Sequence, residues 1–271
     1  MEKRGIHVVR TGPPTAQTLV LVHGSAGSTA SWDTVVPALQ DLDVVRVDLL
    51  GHGRSAKPAD GYGIAEQARR LGAVLDDLGV LRAILVGHST GGSVVTSLAE
   101  QRRDLVEAIA LIDTGPRLDA SFTADGPVTR LLANPVLGPL LWAVRTDGMI
   151  RAAARSAFTR DVPVPAQMIA DAKGMTRRSV TATFAEAAAF LTERPVPDRL
   201  AGLGLPLLVL FGSADRRWQP SSVQDYRRVP GARIEILDGI GHTPMVEDPE
   251  TTTKLLRGFI HDVTAPGFGS R

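Results

Sequence analysis

No cysteine occurs among the 271 residues, which excludes disulfides, thiolate metal sites and a cysteine nucleophile. An excess of either charge is missing too. Thirty basic against 29 acidic residues leave a net charge of +1, and that balance marks neither nucleic acid nor a membrane surface as a partner. No apolar run is long enough to span a bilayer. The opening MEKRGIHVVRTG carries charge but no apolar stretch after it, so it does not read as a secretory signal, and the expected location is cytoplasmic. Lysine is scarce (Lys3, Lys57, Lys173 and Lys254), a compositional bias without chemical meaning.

What remains is ordinary for a globular chain: 44% hydrophobic and 22% charged residues. The length suits one domain with at most an insertion. Short runs rich in Val, Leu and Ile at 18–22, 44–47, 83–86, 108–112, 207–211 and 233–237 read as strands buried on both faces. The run 5–10 alternates and suits an edge strand. Helical spacing appears at 64–78, where Leu71, Val74, Leu75 and Leu78 share a face before Gly79, and again at 93–101 and 249–262. Alternating strands and helices predict an α/β fold with a mostly parallel sheet flanked by helices.

That rhythm stops after Asp113-Thr-Gly-Pro116. From 117 to 200 there are helical patches only (131–144, 149–158, 180–191), separated by prolines, and strands resume at Leu205. The expectation is a core of 1–116 and 201–271 with a helical insertion at 117–200; an elaborate crossover helix is the plainer alternative. The tail TAPGFGSR is expected to be disordered.

The stretch LVGHSTGGS at 85–93 lies between a strand and a helix. Gly-x-Ser-x-Gly in that setting is a nucleophile elbow, with Ser89 at its apex and small residues, Gly87 and Gly91, where strand and helix approach. Serine needs a base, and the base needs an orienting acid. Of six histidines, His7 and His261 fit solvated positions, His23 and His52 fit turns, and His88 is expected to point away from the Ser89 hydroxyl. His242 follows the last strand in DGIGHTP, on the carboxyl side of the sheet where such sites form. Asp215 in LVLFGSAD best fits the acid, in the order serine, acid, histidine. Asp113 stays open as the second choice, whereas Asp48 fits a turn brace. The oxyanion donors are read as the backbone N–H groups of Thr90 and of Ser25, in LVLVHGSAG.

These motifs, with DLLGHGRS at 48–55, GHSTGG at 87–92, and GSAD followed by GIGHTPMVEDPE, resemble the α/β-hydrolase superfamily over essentially the whole chain. The resemblance implies a cap after the sixth strand, matching 117–200. The N-terminus has room for one strand before Thr18, where the family often has two. Ser89 stands where haloalkane dehalogenases and epoxide hydrolases carry aspartate. Tyr62 and Tyr226 lie outside the insertion where epoxide hydrolases use tyrosines, and Thr90 replaces the tryptophan of proline iminopeptidases. The expectation is therefore a carboxylesterase-like enzyme without metal or organic cofactor. It would hydrolyse an ester, thioester or lactone of a small to medium hydrophobic acyl substrate. C–C bond hydrolysis, haloperoxidase-like perhydrolysis and a thioesterase or cyclase role on a carrier-bound chain are alternatives, and a non-catalytic receptor is the least favoured. Leu131, Trp142, Phe158, Phe184 and Met245 are candidates to line an apolar pocket, the alternative being that they pack cap helices on the core.

Overall fold

The computed structural model describes residues 1–123 and 126–265. Eight strands form one sheet: β1 (Glu2–Lys3), β2 (Ile6–Thr11), β3 (Thr18–Val22), β4 (Asp43–Val47), β5 (Ala83–His88), β6 (Val106–Ile112), β7 (Leu207–Gly212) and β8 (Arg233–Leu237). Their order is β1-β2-β4-β3-β5-β6-β7-β8. β1 and β2 pair antiparallel, as do β2 and β4, and every later pairing is parallel. Two strands thus precede Thr18 rather than one. Two-residue β1 is defined only by its ladder to β2, a partner that no local pattern announces.

Successive side chains in a strand point to opposite faces, and the core divides accordingly. Val20, Val22, Leu85, Ile109, Leu111, Val209 and Phe211 face one side, where α1 (Ile64–Asp77) and α2 (Thr90–Gln101) cover them with Leu71, Leu75, Val94 and Leu98. Leu19, Leu21, Ile84, Val86, Ala110 and Leu210 face the other, under Trp32, Val35 and Leu39 and helix α10 (Pro249–Thr264). Both faces are dry, which is why these strands read as unbroken apolar runs. Among the described residues, no helix is long and apolar enough to cross a membrane.

Among the described residues, six α-helices lie between β6 and β7: α3 (Pro127–Ala133), α4 (Leu137–Ala143), α5 (Asp147–Arg155), α6 (Ala166–Gly174), α7 (Arg177–Glu193) and α8 (Val196–Leu200). The patch 131–144 is two helices, because Pro135 cannot donate and disfavours helix at Asn134 before it. Thr146 caps α5 by accepting from the Met149 N–H, and Thr176 with Ser179 forms a capping box on α7. Val196 and Leu200 of α8, with Phe190 and Leu191 of α7, sit in the first core cluster. The last part of the insertion therefore packs as core. After Pro244–Glu247 (α9), α10 runs through Thr264, which extends it into the expected tail; residues 266–271 of that tail lie outside the described residues.

Candidate active site

β5 delivers the chain to Ser89, which adopts φ 51° and ψ −121° at the N-cap of α2. A side chain in this left-handed region costs about 1–3 kcal/mol. The turn is held by its surroundings: the Ser89 N–H donates to the Ile112 carbonyl (2.9 Å), and the Gly92 N–H donates to the Ser89 carbonyl (2.9 Å). Close approach explains the flanking glycines. A Cβ on Gly91 would lie 2.3 Å from the Val22 carbonyl oxygen, and one on Gly87 would lie 2.6 Å from the Gly91 carbonyl oxygen.

Ser89, His242 and Asp215 meet at the carboxyl end of the sheet. Ser89 Oγ lies 3.0 Å from His242 Nε2, and His242 Nδ1 lies 2.9 Å from Asp215 Oδ2. A carboxylate opposite Nδ1 places the ring proton there and leaves Nε2 as the acceptor facing the hydroxyl. Asp215 Oδ1 accepts the N–H groups of Arg217 (2.6 Å) and Trp218 (3.3 Å). Burial pushes this carboxyl up, but the His242 ring and the Arg217 N–H outweigh it and hold Asp215 below the usual carboxylate range. A hydroxyl, an imidazole and a buried carboxylate in this line can generate an alkoxide nucleophile.

The histidine loop is fastened from two sides. The His242 N–H donates to the Ala157 carbonyl (2.9 Å), within the insertion. Buried Glu247 accepts through Oε2 from the N–H groups of Thr159 (2.7 Å), Arg160 (3.1 Å) and Gly241 (3.2 Å), and through Oε1 from that of Thr243 (3.2 Å). Burial raises its carboxyl, and these donors more than reverse that, so Glu247 sits below the ordinary glutamate range. Sequence reasoning missed this residue; an acid five places after a histidine signals nothing by itself.

Ser25 stands on the loop after β3, and its hydroxyl lies 2.8 Å from that of Thr90, so the two candidate oxyanion residues are neighbours. His88 does turn from the Ser89 hydroxyl, as alternation along β5 requires, but it points somewhere useful: its Nε2–H donates to the His242 carbonyl (2.8 Å). Burial first and the His242 charge second lower its pKa to about 3, so it serves as a neutral strut. His23 Nε2 accepts the Leu49 N–H (2.9 Å) and its Nδ1–H donates to the Gly24 carbonyl (2.7 Å), bracing the Ser25 loop. Asp48 braces the next turn by accepting from the N–H groups of Thr29 and Arg54.

The pocket candidates do not converge. Met245 is fully buried in the second core cluster, because Pro244 starts α9 toward the sheet, so it packs core and cannot line a cleft. Phe158 is also buried. It borders a cavity of about 440 Å³ with Ala152, Arg155, Ser156, Thr159 and Arg216, a lining that contains none of Ser89, His242 and Asp215. Leu131 and Phe184 are exposed on α3 and α7, and Trp142 lies half-buried beneath the Arg145 guanidinium, 4.0 Å from its ring centre. Asp113 joins the cluster of Asp215 and His242: one oxygen or ring nitrogen of each of these three residues lies within 4.8 Å of the others.

Residues 19–255 match the Alpha/beta hydrolase family. A pimeloyl-(acyl-carrier protein) methyl ester esterase of Neisseria meningitidis is 27% identical over 265 residues, covering 93% of this chain and 79% of that one. Two solved structures are similar over most of both chains. One is Est816, an N-acyl homoserine lactone degrading enzyme, 27% identical with a TM-score of 0.74 over 95% of this chain and 98% of its own. The other is a thermophilic esterase from Thermogutta terrifontis, 25% identical with a TM-score of 0.80 over 96% and 94%. A match that begins in the first parallel strand and ends in the last helix takes in the parallel strands and every motif at their carboxyl ends, and the chain belongs to the alpha/beta hydrolase family.

Proposed function

We propose that this protein is a serine hydrolase that transfers the acyl group of a carboxylic ester, thioester or lactone to water. The observation that carries this reading is the unbroken line Ser89 Oγ–His242 Nε2 and Nδ1–Asp215 Oδ2, at 3.0 and 2.9 Å, on a strained strand-to-helix turn. His242 Nε2 takes the Ser89 proton as Oγ attacks the acyl carbon. The resulting oxyanion accepts from the backbone N–H groups of Thr90 and Ser25, each donor contributing about 100- to 1000-fold in rate. Imidazolium, stabilised by Asp215, then returns the proton to the leaving oxygen or sulfur, and the acyl group remains on Oγ. Water repeats the cycle on the other side: it gives a proton to His242, forms the acid and frees Ser89. Residues 117–200 act as a cap that selects a hydrophobic acyl or alcohol part of small to medium size. The esterase and lactone-degrading relatives support an acyl carbon as the target.

The test combines fluorophosphonate labelling with a p-nitrophenyl ester chain-length series on the wild type and Ser89→Ala. The expected outcome is labelling at Ser89 and turnover that peaks at one acyl length. Both should vanish in Ser89→Ala, with a drop of about 10⁶ in kcat, the scale of a lost serine nucleophile. Turnover that survives the substitution overturns the assignment.

A further inference from the structure

A second carboxyl stands beside this site without a part in the chemistry above. Asp113 follows β6, fully buried, with φ at 41°. Its Oδ1 accepts the Gly212 N–H at 2.9 Å. Its Oδ2 is equally buried and, as a carboxylate oxygen, has no hydrogen-bond donor among the described residues. One oxygen of Asp113, one oxygen of Asp215 and one ring nitrogen of His242 all fall within 4.8 Å of one another.

Two carboxylates this close in a dry site cannot both be ionised. The distribution of donors decides which one holds the proton. Asp215 receives the N–H groups of Arg217 and Trp218 and the His242 ring, whereas Asp113 receives one backbone N–H. Proton placement also removes the orphan: a protonated Oδ2 is a donor, and its neighbour is an ionised carboxylate with acceptor capacity to spare. We propose that Asp113 is a carboxylic acid at working pH, donating its Oδ2–H to the Asp215 carboxylate, and is thereby a positioning residue for His242.

The inference rests on the serine-hydrolase reading for its consequence, though not for its protonation state. The groups facing Asp113 agree with it. Asp215 follows β7, His242 follows β8 and Glu247 belongs to α9, so the charged groups that bear on Asp113 are mostly negative. His88 on β5 is neutral, and the Arg217 guanidinium is turned away to the Ala153 carbonyl and the Ser156 hydroxyl. Burial first and the Asp215 charge second push the Asp113 carboxyl far above its ordinary range. Donation fixes the plane of the Asp215 carboxylate. It also leaves a single negative charge beside His242.

Asparagine separates this role from that of an ionised acid. Its amide copies the protonated carboxyl, with Oδ1 accepting from Gly212 and Nδ2 donating to Asp215, and asparagine tolerates a positive φ. Asp113→Ala is expected to lower kcat by about 10- to 100-fold at an unchanged KM, the scale of a lost orienting partner. Without the donor, Asp215 concentrates its charge on His242, so the acid limb of kcat/KM moves to higher pH. Asp113→Asn should rescue both kcat and the acid limb. A fall of about 10⁴ in kcat for Asp113→Asn, as expected for an ionised triad acid, overturns the proposal.

Protonation is read independently by infrared difference spectroscopy at neutral pH, wild type minus Asp113→Asn. The carbonyl stretch of a protonated carboxyl should appear in the wild type and persist in Ser89→Ala, which cannot turn over. Absence of that band overturns the proposal even if ester hydrolysis is confirmed. Its presence without ester hydrolysis in the wild type keeps the protonated acid and removes only the serine-hydrolase reading.

Discussion

The carboxyl end of the sheet and the helices between β6 and β7 are built on different terms. Every residue of β3 and β5 is buried, and the turn that follows β5 tolerates only hydrogen at Gly91. By contrast α5 buries no residue, and Val136 and Val144 remain 70% and 66% exposed. One region is determined several times over by packing, hydrogen bonds and close backbone approach. The other, in α4 and α5, is capped and tethered locally but packs little of its apolar surface, although α7 and α8 join the core. Chemistry therefore resides where each position has few acceptable side chains. In the proposed reading, selection of substrate falls to a part of the chain that can change with small cost to folding.

The largest expected effect sharpens this division at its chemical end. Ser89→Ala, His242→Ala and the double variant should each lose about 10⁶ in kcat, because residues that act as one unit are not additive. Single-turnover kinetics on an activated ester checks this, and a double variant far below either single would mean that the two side chains act separately. Next in size is the core. Leu85→Ala should lower the unfolding free energy by about 2–5 kcal/mol in urea titration, since the fully buried strand cannot collapse around the void.

Glu247 joins the two regions and should give an intermediate, pH-dependent loss. Its carboxyl is held below the glutamate range, so its contribution is complete above the unfolded pKa of about 4.3 and fades as pH falls through the lower folded value. Glu247→Gln should cost about 1–3 kcal/mol at neutral pH by leaving buried N–H groups poorly paired. The gap to wild type should close on acidification below that range. A constant gap across pH would assign the effect to packing instead. Smallest of all, Val144→Ser should shift stability by no more than about 0.5 kcal/mol. A Val144→Ser loss as large as that of Leu85→Ala would break the comparison, because the exposed apolar face would then have to be packed in solution.

The same division explains what could be read from the sequence. Six parallel strands were legible within a residue or two. Burial on both faces leaves a largely apolar run in five of them, as at Thr18–Val22. The edge strand Arg233–Leu237 is only partly buried, with Ile236 exposed, against the expectation of burial on both faces. The placing of Ser89 and His242 at the carboxyl end of the sheet was legible because tight turns at strand ends demand glycine nearby. α6 and α8 escaped notice because they are short and their apolar spacing is weak, and β1 escaped because its only support is a partner strand. Depth escaped too. Sequence places Met245 near the histidine but cannot say that α9 turns it under the sheet. Nor could it show that Asp113, the second choice for the acid, would lie against the first.

The carbonyl of Ala157 and the amides of Thr159 and Arg160, through Glu247, reach the loop that carries His242. This short span makes the insertion less portable than its loose packing implies. In the proposed reading, recombination that swaps residues 126–155 exchanges selectivity while leaving His242 anchored. A crossover placed beyond residue 156 would discard the three backbone groups on which that anchor depends, so the seam for exchanging this part of the chain lies before Ala157.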